Sequence, residues 1–425
     1  MLISVEKNNH SIIFSLNLEE DDHTHAPKLI MKETFYFKSE NHNFLHIHSD
    51  RIALVAIINV LPFAGKRIYL NWDVSQKFLL AARVITRVTI EAKSSTNAPL
   101  LPIIGGTPAL SFSGGADSMA ALAVMPKDTE PVFMQRSTSK NIKSLYNPDA
   151  ALKSCNILTN LGYNLHIVES DLEYLRNPLG FPSDLAVGSP IILLGQNCNF
   201  DSIAFGTILE SAFGTSGESF RKYSDSSHYK FWNTLFESVG LSYSLPVAGV
   251  SEVGTEIILD NSALGNFYQS CIRGSWKEPC RLCWKCFRKG LLDKKSNSKT
   301  KETEILLMLE KSKEVRKKII NEPIIRHEGV LTYSLSGIIS NDIRINNLKK
   351  LVRVNEIPIK WMEKWYQKSG NLISQLHREK VITNIANYLP NMSLIEITDL
   401  ENWNNIPNKN RGERLGELKS SIQVI

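Results

Sequence analysis

With 425 residues, 43% hydrophobic and 22% charged, 23 glycines and 17 prolines, the chain has ordinary globular proportions, which exclude collagen-like and low-complexity classes and suit two or three domains. The net charge is +6, and 23 basic against 16 acidic residues between Gly290 and Ile425 place the surplus in the C-terminal third. The opening MLISVEKNNHS lacks a secretory pattern and no run reaches the ~18 apolar residues of a membrane span, so a soluble, cytoplasmic protein with no membrane partner is expected.

Residues 1–100 read as an α+β extension. Alternating apolar and polar residues predict strands at Ser11–Leu16 and Glu33–Phe37, and the apolar stretch Ile52–Phe63 predicts a buried helix. Six of the ten histidines lie here: His10, His23, His25, His42, His46 and His48. His23-x-His25 and His46-x-His48 have the spacing of metal pairs on a strand face, but loops and nearby carboxylates explain solvated histidines equally well, and no metal is assigned to them.

Between residues 101 and 292 the texture changes to short apolar runs, Pro108–Phe112, Pro131–Met134, Asn164–Val168 and Ser202–Phe205, each followed by a stretch of helical length. This is the pattern of an α/β fold, a parallel sheet wound with crossover helices. Residues 293–425 turn Lys/Glu-rich and largely helical, beginning with a polar linker (Lys294–Lys301) and an amphipathic segment (Ile305–Ile320). Cys155 and Cys198 stand alone and read as small core residues.

The most informative local run is Leu110-Ser-Phe-Ser-Gly-Gly-Ala-Asp-Ser-Met-Ala-Ala-Leu-Ala-Val-Met125. An apolar run ends at Ser113, two glycines permit a tight turn, and Asp117-Ser118 opens an Ala/Leu/Met-rich helix that Pro126 stops. Successive backbone N–H groups at such a strand-to-helix turn make an anion cradle, so Ser113, Gly114, Gly115 and Ser118 suit a phosphate or pyrophosphate. Asp117 repels a bare phosphate; its fitting role is to bind the Mg²⁺ that accompanies a nucleotide, or to hold the loop. Neither Gly-x-Gly-x-x-Gly nor the Gly-Lys-Ser/Thr ending of a Walker loop is present. Five fixed positions of this kind arise by chance in about one in a thousand chains of this length.

The second signal is Cys271, Cys280, Cys283 and Cys286, a C-x8-C-x2-C-x2-C series. In a reducing compartment such clustering argues for metal rather than disulfides. Four thiolates can surround one tetrahedral Zn²⁺ at ~2.3 Å, leaving no open position and hence a structural role; an iron–sulfur cluster is the alternative. Arg273, Lys277, Arg281, Lys285 and Arg288 are available to offset the negative charge of such a centre.

The first run resembles the Ser-Gly-Gly-x-Asp-Ser loop of the N-type ATP pyrophosphatases, and the two motifs in this order make the region from about Leu110 to Leu292 resemble the 7-cyano-7-deazaguanine synthase family, QueC. Gln135-Arg136, Asp171-Leu172, Phe205-Gly206, Pro246 and Glu256-Ile-Ile agree with it. The resemblance implies an adenine nucleotide alpha hydrolase-like (PP-loop) fold and ATP binding by Ser113, Gly114, Gly115, Ala116, Asp117, Ser118, Gln135 and Arg136. It also implies catalytic roles for Asp117 and Ser118, Zn²⁺ on the four cysteines, and a homodimer. In that family ATP adenylates the carboxylate of 7-carboxy-7-deazaguanine, ammonia displaces AMP to give an amide, and a second activation yields the nitrile.

This chain departs from the family in adding about 100 residues before the shared region and about 135 after it. It has Val187-Gly-Ser-Pro190 where the family has Pro-x-Arg-Asn, and Gly254 in place of the lysine before Glu-Ile-Ile. Extensions of this kind resemble those of QueC-like proteins in bacterial antiphage systems, including the Qat type, where the activated carboxylate is given to an amine on a partner protein. A stand-alone synthase using ammonia is the second expectation. A third is a tRNA-modifying ATP pyrophosphatase whose basic C-terminal third, with Trp361, Trp365 and Tyr366, meets RNA; seven surplus charges with interspersed acids make nucleic acid the weaker partner.

Overall fold

The computed structural model describes all residues except 23–28, 31, 84–86, 138–141, 143, 218, 297–299, 405–409 and 424–425. Strands β1 (Leu2–Lys7) and β2 (Ser11–Asn17) form a hairpin whose turn is held by Asn8, its Oδ1 accepting the N–H groups of His10 and Ser11 at 2.8 Å each. Ile12, Phe14 and Leu16 alternate inward, and strand β3 (Thr34–Lys38) adds Phe35 and Phe37 to the same face, where Phe14 stacks on Phe35 at 4.7 Å. Helix α1 (Ser49–Val60) is buried almost all round, as its apolar run Ile52–Ile58 requires, and Asp50, Arg51 and Asn59 are buried with it. It leads to β4 (Arg67–Ser75), which pairs in parallel with β1; helix α2 (Gln76–Arg83) then crosses to β5 (Thr89–Asn97) on the outer edge.

Five further strands are all parallel: β6 (Thr107–Phe112), β7 (Glu130–Arg136), β8 (His166–Ser170), β9 (Phe200–Phe205) and β10 (Ser242–Ser244). Strand β3 joins this block antiparallel to β8, pairing Phe37 with Ser170 and Lys38 with Glu169. The result is one mixed, mostly parallel sheet in the order β10-β9-β6-β7-β8-β3-β2-β1-β4-β5. The N-terminal strands therefore cover the edge that β8 would otherwise expose, and one apolar core, including Phe14, Phe35 and Ile58 with Val132, Val168 and Phe205, runs beneath both halves.

Within the parallel block the chain runs outward from β6 in both directions, to β7 and β8 on one side and to β9 and β10 on the other. The order reverses between β6 and β9, and ligands of open α/β sheets bind in the crevice beyond the strand ends at such a reversal. Helix α3 (Ala116–Val124) leaves β6 at this point, and α4 (Asp149–Asn160) follows β7.

The C-terminal region is helical and packs in three places, the first being the large core beneath the sheet, which Trp361, Met362, Leu372 and Trp403 join. Residues Trp365, Ile373, Val381, Ile385 and Leu389 share a core with Leu110, Phe112 and Met119 of β6 and α3. Asn384 Nδ2 donates to the carbonyls of Val124 and Met125 at 3.0 and 3.2 Å, satisfying the end of α3. The remaining helices, including Glu302–Lys311, Glu328–Ser336, Ile343–Leu351 and Arg411–Gln423, enclose a separate core with Cys271, Cys283, Trp284 and Phe287.

The strands expected at Ser11–Leu16, Glu33–Phe37, Pro108–Phe112, Pro131–Met134 and Ser202–Phe205 form, as does the buried helix near Ile52–Phe63. Strand β8 starts two residues later than the expected Asn164. Ile305–Ile320 is not one helix: it breaks at Ser312, whose Oγ accepts the Val315 N–H and starts a new turn. The expected linker begins inside a helix that runs from Trp284 to Ser296. Among the described residues no helix is long and apolar enough to cross a membrane.

Candidate active site and cysteine centre

The loop between β6 and α3 owes its shape to glycine. Gly114 has φ +74°, a left-handed conformation, and a Cβ there would stand 3.1 Å from the Ala151 Cα of α4. Ser118 Oγ donates to the Gly115 carbonyl at 3.1 Å, accepts the Ser113 N–H at 3.2 Å and lies 3.0 Å from Ser113 Oγ, which leaves Ser113 exposed at the loop tip. Gly115 caps α3 with no side-chain bond, so the first-turn N–H groups of the helix rely on other partners. Ser270 Oγ accepts the Ala116 N–H at 3.3 Å, and the Gln269 N–H donates to Gly114 O at 2.9 Å. The loop is thereby stitched to the segment that runs into Cys271. Gly206, just past β9, abuts it from the other side: a Cβ there would meet Ser118 N at 2.8 Å.

Behind the half-buried Asp117 lies a group of buried charges that the sequence reading did not assemble. Both Glu210 carboxylate oxygens accept the Glu252 N–H at 3.0 Å. Glu252 opens helix α5 (Glu252–Asp260) and is met by Arg288 at 3.1 Å, Lys289 at 3.6 Å and His327 at 3.6 Å. Lys289 also pairs with Glu256 at 2.6 Å, and Tyr268 Oη donates to the other Glu256 oxygen at 2.5 Å. Burial, with the nearby Glu252 charge, pushes the Glu210 carboxyl up to about 8. Burial acts on Glu252 in the same direction, but Arg288 and Lys289 outweigh it and hold the group below the ordinary range. His327 is pushed down to about 3 by burial and by the Arg288 charge, so its ring is neutral at pH 7. The Asp117 carboxylate feels both Glu210 and Lys289. Only Arg288 and Glu256 had local signals, the first near the cysteines and the second in Glu-Ile-Ile; Glu210 and His327 had none.

The four cysteine Sγ atoms lie within 4.8 Å of one another, and Cys280 Sγ is 3.8 Å from Cys286 Sγ, near the ~3.8 Å edge of a tetrahedron of sulfurs ~2.3 Å from an ion. The backbone N–H of Cys280 donates to Cys271 Sγ at 3.3 Å and that of Cys286 to Cys283 Sγ at 3.4 Å, bonds that favour thiolate. This arrangement could hold a metal ion. The surrounding cations are less available than expected: Arg273 pairs with Glu314 at 2.8 Å, Arg281 with Glu304 at 2.9 Å, and Arg288 with Glu252.

Gln135 and Arg136 close β7 beside a cavity of about 460 Å³ that Lys32, Tyr36, Glu169 and Asp171 also line. Arg136 is committed: it bonds Glu173 at 3.1 Å and lies over the rings of Tyr146 and Phe181 at 4.2 and 4.6 Å. A second cavity of about 400 Å³ lies between α5 and the cysteine segment, lined by Tyr268, Gln269, Ser270, Lys277, Lys285 and Lys289. Gln269 and Ser270 belong to this lining and to the loop contacts alike.

Other singled-out residues are structural. Val187 O accepts from Ser111 Oγ at 3.0 Å, and a Cβ on Gly188 would meet the Phe205 ring at 2.6 Å, so Val187–Pro190 is packed beneath the sheet. At Gly254 a Cβ would lie 2.8 Å from Val250 and 3.3 Å from Leu389, so the C-terminal region occupies space a lysine would need. Cys155 is fully buried in the core, as expected; Cys198 is only partly so. His48 caps α1, its Nδ1 accepting the Asp50 N–H at 3.2 Å, and His23 and His25 lie outside the described residues. Trp361, Trp365 and Tyr366 are buried around short 3₁₀ turns and present no stacking face.

A family model described as a family of unknown function (DUF6395) matches residues 231–404, a span that takes in the cysteines and most of the C-terminal region but starts beyond the Ser113–Ser118 loop. No curated protein matches the chain, and neither does any solved structure.

Proposed function

We propose that this protein is a QueC-like ATP pyrophosphatase of the PP-loop fold, which adenylates 7-carboxy-7-deazaguanine or a close analogue and passes the acyl group to an amine of a partner protein in bacterial antiphage defence. The observation that carries this reading is the position of Ser113–Ser118: a glycine-shaped loop capping a helix N-terminus at the point where the sheet order reverses.

A carboxylate is a poor acyl donor because its leaving group would be oxide, whereas an acyl adenylate leaves as AMP. The work left to the protein is to position the reactants and steady phosphoryl charge. Exposed Ser113 and the N-terminal turn of α3, whose Gly115 cap makes no side-chain bond, suit the pyrophosphate of ATP. Asp117 would hold Mg²⁺, which supplies charge neutralisation between the phosphates. Lys289 lies behind its carboxylate with a compensating positive charge, and Glu210, protonated at neutral pH, adds little repulsion. No protein nucleophile is required, and Cys155, buried and pushed up to about 12, is unsuited to be one. The four cysteines would take Zn²⁺ in a structural role, fixing the segment whose Gln269 and Ser270 hold the loop. An acyl adenylate reacts with any well-placed amine, so conjugation to a protein instead of ammonia calls for a docking surface and not for new chemistry.

The test is incubation with ATP, Mg²⁺ and 7-carboxy-7-deazaguanine while following pyrophosphate. Mass analysis then separates the outcomes: amide or nitrile indicates the stand-alone synthase, whereas a mass increase on a co-expressed neighbour protein indicates conjugation.

A further inference from the structure

Far from the loop, at the opposite ends of the parallel strands, three separated segments bring metal-binding side chains together. His42 lies in the turn after β3, His166 opens β8, and Cys198 precedes β9. His42 Nε2 and His166 Nδ1 are 3.1 Å apart, and the ligating atoms of all three residues lie within 4.8 Å of one another. The second ring nitrogen of His166, Nε2, is 2.6 Å from the carboxylate of Glu130, the first residue of β7.

Two nitrogens held ~2.0–2.1 Å from a tetrahedral ion stand about 3.3 Å apart, and a nitrogen and a thiolate sulfur about 3.6 Å apart. The imidazoles already have that spacing, and the thiol is a small side-chain movement from it. Glu130 fixes the tautomer: with Nε2–H donating to the carboxylate, the lone pair of His166 Nδ1 faces His42 and Cys198, as in carboxylate–histidine–metal arrangements. A hydrogen bond between the rings would explain the imidazole pair alone; it gives no reason for a thiol at the same point.

The surroundings hold this geometry in place. Ser39 Oγ donates to Ile167 O at 3.1 Å, Asn197 Nδ2 donates to Asn43 O at 2.8 Å, and Phe200 packs edge-on against His166 at 5.7 Å. One thiolate and the Glu130 carboxylate together match the charge of a divalent ion. We propose that His42, His166 and Cys198 bind one Zn²⁺, with water in the fourth position, and that this ion ties the N-terminal region to the parallel strands. Strand β3 pairs with β8 only at Phe37–Ser170 and Lys38–Glu169; the ion would secure the other end of β8. Imidazole and thiolate together suit zinc better than magnesium or calcium.

The full-length protein, loaded with excess Zn²⁺ and exchanged into metal-free buffer, provides the test through metal analysis and peptide-resolved alkylation. The wild type should retain one more zinc per chain than either His42→Gln or Cys198→Ser. Zinc should also slow iodoacetamide labelling of Cys198 in the wild type by about tenfold or more, a readout that needs no variant. Equal zinc content in all three proteins, or labelling of Cys198 at the same rate with and without zinc, would overturn the site. Mapping the label by peptide separates this centre from the four-cysteine cluster.

Discussion

The two regions flanking the parallel strands are attached by different means. The N-terminal one joins through backbone pairing, lengthening the sheet beyond β8, and meets the central strands at two residue pairs and a shared core. Among the described residues its counterpart contributes no strand to the sheet; it wraps α3, β10 and the cysteine segment with side chains and single backbone bonds such as that from the Leu245 N–H to Leu372 O, and reaches the charges behind Asp117 through His327. Among the described residues, the C-terminal region alone of the two is built into the back of the candidate active site. It should therefore govern both stability and catalysis, whereas the N-terminal region shapes the cavity beside Gln135 and Arg136.

The contrast is broken most severely at Glu252. Its removal in Glu252→Ala strands Arg288 in a buried site and leaves Lys289 with Glu256 alone, and should destabilise the protein by roughly 3–5 kcal/mol, measured by urea unfolding. A loss below about 1 kcal/mol would mean that the network does not bind the C-terminal region to the site. Leu389→Ala, which opens a cavity between the C-terminal return and α3, should cost about 2–4 kcal/mol and lower activity alongside stability.

Glu210 sharpens the comparison through pH. Its carboxyl titrates near 8 in the folded protein against an ordinary 4.5, so between those values the native state keeps a proton that the unfolded chain has lost. Stability contributed by this group is complete below about 4.5 and declines as pH rises towards 8. Glu210→Gln should flatten that decline and gain roughly 1–3 kcal/mol at about pH 8.5, readable from melting curves across pH. An unchanged pH dependence would show that Glu210 is not the group responsible. Smallest of all should be Lys32→Ala, which removes the partly exposed N-terminal partner of Asp171: a change within about 1 kcal/mol is expected.

What the sequence disclosed was local. The turn at Gly114-Gly115 needs glycine for steric reasons that act within a few residues, and a C-x2-C spacing brings sulfurs together within one turn, so both features are visible in a linear reading. Strands β1, β4, β5 and β10 are not among those expected, and of these β5, Thr-Ile-Glu-Ala-Lys-Ser-Ser-Thr-Asn, is an edge strand with little apolar surface to bury. The merger of β3 with β8, the meeting of Glu210, Glu252 and Lys289, and the approach of His42 to Cys198 all join residues far apart in the chain. Nothing in the neighbourhood of any one of them encodes its partner. Cys198 shows the consequence: alone in the sequence it reads as a core residue, and only the fold sets it beside two imidazoles.

The central claim, that Ser113–Ser118 grips ATP for adenylation of a deazaguanine carboxylate, is tested most directly by pyrophosphate release from the wild type and Asp117→Ala side by side. Release should require both Mg²⁺ and 7-carboxy-7-deazaguanine, and should be lost in a variant that melts at the wild-type temperature. No release above the control lacking the deazaguanine, or full activity in Asp117→Ala, would contradict it.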